Sequence, residues 1–159
     1  MNHRAQRAVT LVELVVVMAI IAIGAVLLAP NMGAWLQNYR LRSATRDVVS
    51  LLRTAQMKAI STNREYQVSF NPGAGSFVLQ YHNSGTDWPN EGEPVTLPKG
   101  IIISGIGFPA CPPPAVSNNC AQFNPNSTSS TGSITLRNPK GTTSGITLTP
   151  ATGRVHVNY

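Results

Sequence analysis

Acidic residues are scarce in this chain, and after Glu93 there are none. Asp and Glu number six against twelve Lys and Arg in 159 residues. Histidine is also rare, with only His3, His82 and His156. Paired carboxylates for acid–base work are therefore missing, as are His, Cys, Asp or Glu clusters at metal-ligand spacing. No nucleophile elbow and no phosphate-binding loop occurs, and the Gly105-Ile-Gly107 pair reads as a turn at a strand end. These absences exclude the familiar enzyme classes and imply neither cofactor nor metal. Charged residues make up only 11% of the chain, so Ser, Thr, Asn and Gln must supply most of its polar surface.

Cysteine is nearly absent too. Cys111 and Cys120 enclose Pro-Pro-Pro-Ala-Val-Ser-Asn-Asn, and in an exported chain so close a pair reads as a disulfide. Two thiols without His or carboxylate neighbours do not make a four-ligand metal site. Closing so short a loop gains about 2–3 kcal/mol in the chain-entropy model. The bridge is expected to pin a proline-rich loop and to have no redox role.

What the chain does have is one long apolar run. Leu14 to Ala29 holds no ionisable side chain, and the run is headed by a single carboxylate, Glu13. Upstream lie His3, Arg4 and Arg7 and no acid. Three readings compete. About 20 apolar residues span a bilayer, so a plain anchor fits once flanks are counted. A secretory signal would use Leu14–Ile23 as its apolar core and Ala22-Ile23-Gly24 as its cleavage site. Against it, Glu13 breaks into the start of that core, and the run does not stop at the cut. The third reading is a leader removed before the apolar stretch. A charge at the head of a membrane-grade helix usually has a partner or a task, which makes Glu13 a candidate functional residue.

The residues Ala8-Val9-Thr10-Leu11-Val12-Glu13, followed by an apolar helix, resemble the leader of type IV prepilins and type II secretion pseudopilins. The resemblance implies cleavage between Ala8 and Val9 by a prepilin peptidase that also methylates the new N-terminus. Glu13 then becomes the fifth residue of the mature chain and Pro30 the twenty-second, where pilins often carry proline. The usual Gly before the cut and Phe after it are Ala8 and Val9 here. Residues 1–8 are thus a leader and 9–35 a transmembrane and assembly half-helix. Arg4 and Arg7 set the N-terminus on the cytoplasmic side of the inner membrane and the body, residues 36–159, in the periplasm.

Beyond Pro30 the helix is expected to continue. Met32, Leu36, Tyr39, Leu41, Ala44, Val48, Leu51, Leu52, Ala55, Ala59 and Ile60 recur at spacings of three and four, one apolar stripe on a helix. Arg40, Arg42, Arg46, Asp47, Arg53 and Lys58 mostly take the other face. Pro30 removes a backbone donor and kinks the helix, and Asn63 ends it. From Val9 to Thr62 such a helix is about 80 Å long at 1.5 Å per residue. Its second half, 36–62, must pack on the β domain, 63–159. There Glu65–Phe70 and Phe77–His82 form a hairpin around Asn71–Ser76, and Val95–Leu97 and Ile101–Ile103 follow. Pro109–Gly132 reads as irregular. Ser133–Arg137, Gly145–Thr149 and Arg154–Asn158 close the chain. The fold class is α+β: a long kinked N-terminal helix on a mainly antiparallel sheet.

Within the pilin superfamily, the Arg-rich helix, the size of the sheet domain and the ending Gly153-Arg154-Val155-His156-Val157 are similar to the FimT/GspH group. The resemblance implies a minor pilin or pseudopilin that joins other subunits in a type IV pilus or a type II secretion pseudopilus. It implies that Glu13 pairs with the N-terminal amine of a neighbouring subunit. Some FimT-type pilins take up DNA through a C-terminal Gly-Arg-x-Arg element. A DNA-binding alternative would therefore use Arg154 and His156, helped by Lys140 and Arg137. His156 is mostly neutral at pH 7, and so few cations with little aromatic interleaving make a thin footprint for nucleic acid.

Overall fold

The computed structural model describes residues 10–28, 32–113 and 118–158. Two compact units result, Met1–Leu36 and Gln37–Tyr159.

In the first unit, helix α1 runs Leu11–Leu28. From Leu11 to Ile23 its large apolar side chains are exposed, with Leu11 78%, Met18 62%, Ile20 64% and Ile23 64%. Among the described residues no helix is long and apolar enough to cross a membrane. The expected membrane segment, 9–35, includes residues outside the described ones, and so does the expected kink at Pro30.

Helix α2 is Met32–Thr62. From Gln37 onward it belongs to the second unit, where its inner face meets the sheets. Leu41, Ala44, Thr45, Val48, Leu52, Ala55 and Ala59 are buried, whereas Leu36, Tyr39 and Ile60 are exposed, so the packed stripe starts later than the periodicity suggests. Three alanines on the stripe let the helix backbone lie close to the strands. Buried Thr45 spends its hydroxyl on the carbonyl of Leu41 at 2.8 Å, so this polar group is satisfied inside the core. Asn63 stops the helix as expected, in a left-handed turn with φ 52°.

Among the described residues eight strands follow: β1 Tyr66–Asn71, β2 Ser76–Tyr81, β3 Val95–Thr96, β4 Ile102–Ile106, β5 Asn119–Phe123, β6 Gly132–Arg137, β7 Thr143–Thr149 and β8 Arg154–Asn158. They form two four-stranded sheets, in the orders β3-β2-β1-β5 and β4-β6-β7-β8, with antiparallel pairing throughout. The expected α+β fold is present, with three differences. The β domain is two sheets, and the stretch read as irregular contains β5, which pairs along β1 from Tyr66↔Phe123 to Phe70↔Asn119. Gly105, read as part of a turn, lies inside β4 at a shift in register opposite Thr135.

One apolar core joins α2 to both sheets, with Leu52, Phe70, Phe77, Phe123, Ile134, Leu136 and Ile146 fully buried. Phe70 stacks on Phe108 at 5.8 Å and lies 6.2 Å from Phe77. Strand β1 is buried on both faces. Val68 and Phe70 take the apolar side, and Gln67 and Ser69 face the opposite way. Gln67 donates to Gln80 at 2.8 Å, and Gln80 donates to Asn90 at 2.9 Å. Over Ser69 lies the cysteine loop: Asn118 donates to the Ser69 hydroxyl at 3.1 Å, and the Cys111 sulfur is 3.6 Å away. Cys111 and Cys120 are joined, with Cα atoms 4.9 Å apart. The bridge thus sets Cys111 and Asn118 beside Ser69 on the polar face of β1.

Candidate functional site

The head of α1 is built by its own sequence. Thr10 lies just before the helix, and its hydroxyl accepts the backbone N–H of Glu13 at 3.2 Å. The Leu14 N–H reaches the Thr10 carbonyl at 3.2 Å, so Thr10 is the N-cap and Glu13 falls in the first turn. Thr-x-x-Glu is the sequence signature of a capping box, a signal that the motif-level reading passed over. A carboxylate there faces the positive end of the helix dipole. It also stands exposed at the tip of a rod whose remaining side chains are apolar. Ala8, Val9 and Pro30, the expected processing and kink positions, lie outside the described residues.

The basic residues of the C-terminal strands are spread along the second sheet. Arg137 ends β6 opposite Thr143, and Lys140 sits in the turn that follows. Arg154 begins β8 opposite Thr149, at the far end of β7. Six residue steps of about 3.3 Å put these ends about 20 Å apart. Arg154 and His156 do share the exposed face of β8, as alternation predicts. The structure therefore brings together one cation and one imidazole of the four expected residues, and it leaves Arg137 and Lys140 elsewhere. Arg154 instead shares a surface cleft with Arg53 and Met57 of α2.

The glycine of that terminal motif has a structural reason of its own. Gly153 is buried with φ +60°, and a Cβ placed there would come within 2.6 Å of the Gln56 amide and 2.9 Å of the Ser127 carbonyl. Gln56 donates to the Thr152 carbonyl at 2.9 Å, which ties the β7–β8 turn to α2.

Two more ties to α2 carry no sequence signal. Asn138, buried at the β6–β7 turn, donates to Asn38 at 2.9 Å, while its own oxygen accepts the Lys140 and Thr142 amides. Lys58 makes an ion pair with Glu91 of the loop after β2. The hydrogen bond to the Glu91 carboxylate holds the Lys58 ammonium above its ordinary 10.5, against the opposing effect of burial. Elsewhere in that loop His82 packs on Trp88 at 4.9 Å. Among the described residues no group of His, Cys, Asp and Glu could hold a metal ion.

The family model "Prokaryotic N-terminal methylation motif" matches residues 3–29. The model "Type II transport protein GspH" matches residues 44–153, which is most of α2 and the strands β1 to β7. The chain belongs to the GspH family. Among solved structures it is similar to the minor pseudopilin EpsH from the type 2 secretion system of Vibrio cholerae, with TM-score 0.61 and 9% identity over 75% of this chain and 96% of that one. At that identity the likeness concerns the fold. No curated protein matches the chain significantly. The GspH domain and the methylation motif together make this a pilin-type subunit of the minor pilin and pseudopilin kind, a structural class and not an enzymatic one. The DNA-uptake alternative gains no support from the family or from the spread of the basic residues.

Proposed function

We propose that this GspH-family subunit is cut between Ala8 and Val9 by a prepilin peptidase, methylated at Val9, and stored in the inner membrane with its β domain in the periplasm. From there it joins other pilins or pseudopilins in a filament. The observation that carries this reading is α1 itself, a helix of apolar residues whose described large side chains are exposed, headed by one capped carboxylate. Such a rod needs an apolar surrounding, and lipid and a bundle of like helices offer nearly the same one. Burial alone therefore separates storage from assembly weakly, and a polar contact must set the register. Glu13, pairing with the N-terminal amine of a neighbouring subunit, neutralises two buried charges at once.

Glu13→Ala tests this. The variant should enter membranes in the same amount as the parent, while its share in sheared or detergent-resistant filaments falls at least tenfold. Equal incorporation would remove Glu13 from assembly.

A further inference from the structure

Strand β8 is the outermost strand of its sheet, and among the described residues it pairs only with β7. Its unpaired edge does not open onto bare solvent. Beside it runs the outer flank of α2, and the two enclose a groove made of adjoining clefts of about 480 and 650 Å³ that share Arg53 and Met57. Its apolar lining is Val49 and Met57 from the helix and Val155 and Val157 from the strand, with uncharged polar side chains between them. The rim carries three guanidinium groups, Arg46, Arg53 and Arg154, and no carboxylate lines either cleft.

We propose that this groove receives an extended segment of a partner protein, in which apolar residues alternate with Asp or Glu, as an added strand along β8. Each feature of the groove matches one feature of that segment. A free strand edge offers N–H and C=O groups that only another backbone in extended form can satisfy in series. An added strand sends alternate side chains to opposite faces. One set meets the valines and Met57, which is 62% exposed without such a cover. The other set passes Arg154 on the outer face of β8, while Arg46 and Arg53 flank the first set from α2 and offer planar forks to carboxylates there. Charge protection of a sheet edge needs Arg154 alone; it leaves unexplained the apolar lining and the two arginines of α2 that face the same groove. Nucleic acid fits less well, because no aromatic side chain lines the groove to stack a base. The groove lies wholly within Gln37–Tyr159, so the inference stands independently of how α1 assembles.

The test uses the full chain in detergent against a displayed library of ten-residue peptides, with acidic, basic and neutral residues alternating with apolar ones. Selection should enrich the acidic–apolar class. A synthetic peptide of that class should bind at least tenfold more weakly to Arg53→Glu and to Met57→Lys, both exposed positions that leave the core intact. N-methylating its alternate amides on the side facing β8 should also cost at least tenfold, which separates strand addition from simple charge attraction. No enrichment over the Arg53→Glu variant would overturn the proposal, and so would undiminished binding of the N-methylated peptide. Tenfold tighter binding of a single-stranded oligonucleotide at the same site would assign the groove to nucleic acid and also overturn it.

Discussion

Single residues in this chain mostly have one physical duty each, and the clearest is Gly153. Its left-handed backbone and its contacts with Gln56 and the Ser127 carbonyl leave no room for a methyl group. Gly153→Ala should therefore lower stability by about 1–3 kcal/mol, read from chemical denaturation, although it removes no contact. This alters how the ending Gly153-Arg154 is understood, since the glycine belongs to a turn clamped on α2 and need not signal a binding element. Asn138 is comparable: it satisfies two turn amides and Asn38 from a buried position. Asn138→Ala leaves those amides without their acceptor and should cost about 1–3 kcal/mol. Lys58 predicts a pH dependence. Its folded-state value lies above the ordinary 10.5, so its pairing with Glu91 stabilises the fold fully below about pH 10.5 and is lost as pH rises through the higher, folded value. Because the pair is partly exposed, the difference between parent and Lys58→Met should be only about 0.2–1 kcal/mol. It should be flat from pH 7 to about 10 and vanish in stronger alkali.

Among the elements, α2 carries the most packing. Leu52 is fully buried between the sheets and the helix, so Leu52→Ala should cost about 2–5 kcal/mol in the same denaturation experiment. Helix α2, its stop at Asn63, the first hairpin and the three closing strands were legible in the sequence because each is a local pattern. Periodicity of three to four, alternation, and turn chemistry at Asn71–Ser76 and Pro150–Gly153 are written in neighbouring residues. Strand β5 was not legible. Asn119-Cys-Ala-Gln-Phe123 is short and half polar, it follows a proline run, and its pairing partner β1 lies about 50 residues earlier in the chain. The division into two sheets was hidden for the same reason, since it depends on pairings between strands distant in sequence.

At the scale of the whole molecule, one unit holds an apolar helix whose described large side chains are exposed, and the other holds a closed core. Helix α1, Leu11–Leu28, was legible because its signal is composition, whereas the Thr10 cap beneath Glu13 was passed over. The arrangement of the basic residues was legible only in part. Alternation placed Arg154 and His156 on one face, but only the register of β6, β7 and β8 separates them from Arg137 and Lys140. The central claim is that the chain enters the pilin pathway through its N-terminus, and the mass of the N-terminal peptide recovered from membranes tests it most directly. The account predicts a peptide that starts at methylated Val9. A peptide that starts at Ala25 would mean an ordinary secreted protein and would contradict the account.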